Sequence, residues 1–264
     1  IVDSINTNLM ACFPFNNDAT DQSNNGNNGT ATNITYPQDR VGKSTSASNY
    51  NGVSSIIHFN PSSLQLNTYS YCAWVKLSAL PSSGNAFSIL GIGGSANDQG
   101  ILIGNNYGTD NGWIINTYGT NGISYATSNG ILPSTNTWYF VCQTRDNNGA
   151  KLYVNGNLIL SCVIPNINAG YSGAPIEAVI GARTNASSRQ YFNGIIDDVR
   201  IYNKVLSVGE VNLLYYSLSI PKANAGQDKS VCLGDSGQLS ASGGISYSWN
   251  TSSGLSDSTI SNPW

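Results

Sequence analysis

The chain has two glutamates, Glu177 and Glu210, and one histidine, His58. That scarcity bounds the chemistry it can do. Hydrolysis of a glycosidic bond needs two carboxyl groups flanking the bond, and neither glutamate stands in an acidic array. Glu210 follows Ser207 by three positions, the spacing of a helix capping box. Asp197 and Asp198 are adjacent, and successive side chains of a strand point to opposite faces, so they are not expected to converge as a dyad. His58 lies in Ser54–Phe59, which reads as an apolar strand, and is taken as a packed or surface residue, not as part of a Ser-His-Asp triad. No catalytic residue is expected.

Binding chemistry is better supplied. Calcium takes about six to eight hard oxygen ligands, and the loop Asp18–Gly29 offers Asp18, Asp21, Asn24, Asn27 and Asn28 among glycines that permit sharp turns. The competing reading is a surface loop built of Asx-turns with no ion. Sugar recognition calls for exposed aromatic faces beside planar polar groups. Tyr107, Trp113, Tyr118 and Tyr191 lie in or near loops, and Arg183 and Arg189 flank the polar stretch Thr184–Ser188. With 15 tyrosines in the chain, most must serve packing or cross-strand pairs.

The five cysteines are Cys12, Cys72, Cys142, Cys162 and Cys232. None forms a Cys-x-x-Cys pair, which argues against zinc. Their wide spacing on apparent strands favours disulfides and an oxidising compartment over five buried thiols. Cys142 and Cys162 flank the strand Lys151–Val154, so they would stand two strand spacings apart, about 9.6 Å. A bridge needs Cα atoms within about 7 Å, so that pair is not expected.

The elements that position these groups are strands. Charged residues are 9% of the chain, against roughly 25% in an average soluble domain, and Asn, Ser, Thr and Gly stand in their place. Net charge is −3 and no basic stripe exists, which argues against nucleic acid. No apolar run approaches the about 20 residues needed to span a bilayer. The opening Ile1-Val2-Asp3 reads as the start of a processed, exported chain. Short apolar runs separated by turn residues recur: Leu9–Phe15, Tyr69–Leu77, Phe87–Ile92, Gly100–Ile103, Gly112–Thr117, Trp138–Thr144, Lys151–Val154, Leu158–Val163, Ala178–Gly181 and Gly194–Tyr202. Asn155-Gly156 is a strong hairpin signal. One helix is expected, Ser207–Tyr215, capped by Ser207. Strands this numerous imply an all-β, two-sheet antiparallel sandwich. The pattern ends near Ser217. A linker over 218–225 contains Pro221, and a partial β-type segment occupies 226–264.

The order of motifs resembles the bacterial LamG-like (Laminin_G_3) jelly roll of the concanavalin A-like and pentraxin superfamily. It comprises Phe13-Pro14-Phe15, Asp21-Gln22-Ser23-Asn24-Asn25-Gly26-Asn27-Asn28-Gly29, Asp39-Arg40-Val41-Gly42, Tyr50-Asn51-Gly52, Ala73-Trp74-Val75-Lys76, Trp138-Tyr139, Leu152-Tyr153-Val154-Asn155-Gly156 and Gly194-Ile195-Ile196-Asp197-Asp198-Val199-Arg200-Ile201-Tyr202. The likeness covers roughly residues 8–216. It implies a jelly roll and a structural calcium site in which Asp21 and one of Asp197 or Asp198 are ligands, with Asn27 or Asn28 adding an oxygen. It also implies a bridge between Cys72 and Cys142, the strands that carry one in pentraxins. Cys12 and Cys162 are then left to pair by elimination. Catalytic members of this fold present Glu-x-Asp-x-Glu on one strand, which is absent here, and the acids of a pentraxin-style calcium site are missing from Ile180-Gly181-Ala182-Arg183-Thr184-Asn185. The tail, with Ala223-Asn224-Ala225-Gly226-Gln227-Asp228 and Tyr247-Ser248-Trp249, resembles PKD/Ig-like repeats of Bacteroidota surface proteins.

The resulting expectation is a secreted or cell-surface, non-catalytic module binding an extracellular glycan or surface polymer. The alternatives are a structural unit of a filament or stalk that contacts neighbouring domains, and an accessory domain of a glycoside hydrolase. The fold alone does not choose among them.

Overall fold

The computed structural model describes residues 5–64, 66–94, 99–107, 110–119, 122–128, 132–163, 177–184, 189–219, 224–242, 247–250 and 253–264. Its strands are, in chain order, β1 (Leu9–Phe13), β2 (Thr30–Thr32), β3 (Ser48–Asn51), β4 (Ile56–Phe59), β5 (Tyr69–Leu77), β6 (Asn85–Gly93), β7 (Gln99–Tyr107), β8 (Asp110–Gly119), β9 (Gly122–Thr127), β10 (Trp138–Arg145), β11 (Gly149–Val154), β12 (Asn157–Val163), β13 (Glu177–Ile180) and β14 (Asn193–Tyr202). They form two antiparallel sheets. Sheet A runs β1-β14-β5-β10-β11-β12, with β3 also paired to β14. Sheet B runs β2-β4-β13-β6-β7-β8-β9. This is the expected all-β sandwich.

Alternation along each strand builds the core. On β5 the odd positions Tyr69, Tyr71, Ala73, Val75 and Leu77 enter the space between the sheets, where Ile89, Ile101, Ile103, Val141, Leu152, Ile180 and Ile201 meet them. The even positions Ser70, Cys72, Trp74 and Lys76 therefore face outward. Burying these apolar side chains contributes about 1.5–3 kcal/mol each.

The helix α1 (Val208–Ser219) lies on the outward face of sheet A. Tyr215 stacks on Trp74 at 5.7 Å between ring centroids and also meets Phe140. Leu206, Val211 and Leu214 are buried beside them. The capping box is present: Glu210 N donates to Ser207 Oγ (3.3 Å), and Ser207 N donates to Glu210 Oε2 (2.8 Å). The helix runs four residues past the expected Tyr215. Three short strands, β2, β3 and β9, were not expected. β2 is the exposed Thr-Ala-Thr on a sheet edge, and neither it nor Ser-Asn-Tyr-Asn of β3 carries an alternation of large apolar residues.

Residues Ile1–Tyr215 form one compact unit and Tyr216–Trp264 another. Within the second unit, Asn224 bridges Ser242, Ala241 N donates to Ser261 O (2.7 Å), and Trp249 Nε1 donates to Ile260 O (2.9 Å).

Candidate functional site

The outward face of sheet B carries polar side chains beside aromatic ones. On β4, Ile57 and Phe59 enter the core, which turns Ile56 and His58 outward. On β13, Ala178 and Ile180 enter the core and turn Glu177 and Val179 outward. The register sets His58 opposite Val179, two positions along β13 from Glu177 on the same face, and His58 Nε2 lies 2.8 Å from Glu177 Oε1. Arg189 Nη1 takes the other carboxylate oxygen at 2.6 Å and also donates to Arg183 O at 3.2 Å. Arg183 Nη1 donates to Tyr107 Oη at 3.2 Å. Two apolar patches floor this array: Tyr191 packs on Ile56, Val179 and Ala182, and Tyr107 packs on Ala86, Leu102 and Ile114.

The segment between β13 and β14 is held shut at its base. Phe192 N donates to Gly181 O (2.8 Å) and Arg183 N to Arg189 O (2.5 Å). Gly181 has φ +79°, and a Cβ there would stand 2.1 Å from the Tyr50 ring, so only glycine fits. The side chains of His58, Glu177 and Arg189 are 43%, 26% and 19% exposed. A solvent-reachable carboxylate held by Arg189, on a face that also carries the rings of Tyr191 and Tyr107, can accept from sugar hydroxyls while the rings pack C–H faces. It offers one carboxylate among the described residues, not the flanking pair that glycosidic cleavage needs.

The structure thus brings together Tyr107, Arg183, Arg189 and Tyr191 of the six expected ligand-binding residues. Trp113 is placed otherwise. It shares the inward face of β8 with Ile115, is 3% exposed, and meets Tyr139 edge to face at 5.6 Å. The side chain of Tyr118 lies outside the described residues. His58 and Glu177 were missed. The alternation of Ile56–Phe59 already pointed His58 away from the core, but nothing local announced that Glu177 would be its neighbour.

The residues expected to hold calcium are engaged in other ways. Asp21 Oδ1 accepts from Cys12 N (2.9 Å) and Ser23 N (2.9 Å), and its Oδ2 accepts from Ser23 Oγ (2.8 Å) and Asn27 N (2.9 Å). Those four bonds fill the roughly four acceptor positions of a carboxylate. Asn28 Oδ1 accepts from Asp21 N (2.9 Å), and Asn27 Nδ2 donates to Met10 O (2.7 Å). Asp197 and Asp198 both receive Arg40 Nη1, at 2.8 Å for Asp198, and the same guanidinium lies 4.9 Å over the Trp74 ring. Among the described residues no three His, Cys, Asp or Glu side chains gather. As placed, the Asp21 loop and the Asp197–Asp198 pair do not fit a calcium ion.

The two aspartates converge, contrary to the expectation from alternation. The register between β14 and β5 shifts between Asp197 and Arg200, and Asp198 has φ +46°. This bulge turns adjacent residues to one side. Burial, with the charge of Asp198 beside it, pushes the Asp197 carboxyl up to about 8 against the opposing pull of Arg40.

Cys72 and Cys142 are directly opposed on β5 and β10 and form a disulfide, with Cα atoms 4.1 Å apart. Cys12 and Cys162 are thiols. They sit on β1 and β12, the two ends of the sheet A order, so the pairing reached by elimination is geometrically closed.

A family model described as the concanavalin A-like lectin/glucanases superfamily, Laminin_G_3, matches residues 51–212. No curated protein matches the chain at a significant level. Among solved structures, domain 4 of AbnA, a GH43 extracellular arabinanase from Geobacillus stearothermophilus, in complex with arabinotriose, is similar. It has 25% identity and a TM-score of 0.63, covering 78% of this chain and 98% of that domain. The receptor-binding domain of botulinum neurotoxin C/D mosaic serotype gives 18% identity and a TM-score of 0.60, over 80% of this chain and 52% of that one. Botulinum neurotoxin type C, whose cell entry depends on two ganglioside molecules, gives 14% and 0.64, over 83% and 53%. The toxin matches span about half of those chains and show the fold. The family match covers more than half of the chain, so this protein belongs to the Laminin_G_3 family of concanavalin A-like lectin and glucanase domains.

Proposed function

We propose that the sandwich is a non-catalytic glycan-binding module that takes a short oligosaccharide on the outward face of sheet B. The observation that carries this reading is the array His58–Glu177–Arg189, with Arg183 and Tyr107 beside it and Tyr191 at its edge, all on one face. The arabinotriose-bound arabinanase domain, matched over 98% of its length, supports a sugar as the ligand class. The disulfide fits an exported protein, since such bridges persist in oxidising compartments.

A glycan array that includes arabinotriose, followed by calorimetry, tests the reading. The chain should bind at least one oligosaccharide. Arg189→Ala and Tyr191→Ala should each weaken that binding about tenfold or more, the scale of a lost hydrogen bond to a charged group. A native chain that binds nothing on the array, or variants that bind as the native does, would remove the face from consideration.

A further inference from the structure

A second site lies inside the sandwich, at the end of β10. Gln143 and Arg145 share the inward face with Val141. Arg145 is 1% exposed. Its Nη1 donates to Gln99 Oε1, and its guanidinium sits 5.8 Å from the centroid of the Tyr69 ring. Its Nε and Nη2 have no hydrogen-bond partner. Among the described residues no carboxylate lies within 4.0 Å of it, so none of them supplies a counter-ion to this charge.

The surrounding polar groups are partly committed to each other, while Gln143 Oε1 and both side-chain amide atoms of Asn116 also lack a partner. Tyr69 Oη accepts from Gln143 Nε2 (2.9 Å) and donates to Thr117 Oγ1 (3.4 Å), which in turn donates to Gln99 Oε1 (3.3 Å). A buried cation without a compensating partner is among the most costly arrangements a fold can keep. Nε–H and Nη2–H are the two parallel donors on one edge of a guanidinium, the edge that grips anions. Two parallel N–H donors converge on one point, the geometry in which a monatomic anion is held.

We propose that Arg145 holds a monatomic halide on its Nε/Nη2 edge, buried between the two sheets as the counter-ion of this guanidinium. The ion neutralises the one interior charge that β10 carries into the core and ties β10 to Gln99 of β7 through the same side chain.

Melting in sodium chloride and in sodium gluconate at matched ionic strength tests this, because gluconate is too large to enter. The native chain should melt higher in chloride, by about 5 °C at roughly hundredfold saturation. The gain should rise with the logarithm of chloride concentration and vanish in Arg145→Met, which keeps the length of the side chain and removes the charge. Crystals grown with bromide should show an anomalous peak on Nε and Nη2. The proposal stands if the peak is present and the chloride gain depends on Arg145. It falls if the edge holds only water, or if the two salts give equal melting, or if Arg145→Met retains the gain. Should Arg145→Met fail to fold, the peak and the native chain's chloride dependence decide between them.

Discussion

Arg40 is the residue on which the outward face of sheet A turns. It meets both Asp197 and Asp198 and covers Trp74. Arg40→Met should cost about 3–5 kcal/mol in denaturant unfolding, because it leaves the charge of Asp198 beside the buried Asp197 with no cation. The raised Asp197 fixes the sign of a pH effect. Below about 4 this carboxyl is protonated in both the folded and unfolded chain and contributes nothing to the difference. Between about 4 and about 8 the folded chain holds a proton that the unfolded chain has released, so this group makes stability fall as pH rises. Melting temperature measured from pH 5 to 8 should therefore decline, and Asp198→Asn, by removing the neighbouring charge, should flatten the decline. EGTA should leave melting unchanged, and a clear drop would restore the calcium expectation. Residue-level reading of the sequence put Tyr107, Arg183, Arg189 and Tyr191 in or near loops, from local properties alone, and the structure gathers them on one side of sheet B. It failed at Asp197–Asp198, where a bulge overrides alternation, and at His58–Glu177, a pair 119 positions apart joined only by sheet register.

At the level of elements, the segment from Gly181 to Phe192 is the piece on which the candidate site depends, since it carries Arg183, Arg189 and Tyr191. Gly181→Ala must accept a left-handed backbone and displace the Tyr50 ring. A loss of about 2–4 kcal/mol in urea unfolding is expected, accompanied by weaker oligosaccharide binding in the fraction that folds. Ser207→Ala removes the cap of α1 and should cost about 1 kcal/mol by the same measurement. The strands with clean alternation were legible: Tyr69–Leu77 agrees at both ends, and the Asn155-Gly156 hairpin joins β11 and β12 as its turn chemistry requires. Strands held mainly by a neighbour's ladder, such as β2, have no signature of their own to read.

For the whole molecule, the Cys72–Cys142 bridge closes a loop with a sequence separation of 70. That loop contains β6, β7, β8 and β9, four of the strands of sheet B, while the bridge itself belongs to sheet A. Cross-linking a loop of that length restricts the unfolded chain by about 4 kcal/mol. The double variant Cys72→Ser/Cys142→Ser, or the native chain under reductant, should lose stability on that scale in guanidinium unfolding. An unchanged midpoint would mean the bridge constrains little. The helix on the back of sheet A has a different consequence. With α1 seated over Trp74 and Phe140, that part of sheet A is covered, and the glycan face proposed above is one attachment point on the opposite sheet. Firm hold on a polymer with repeating sugars then has to come from several copies engaging at once, where tether length and spacing set the strength of adhesion.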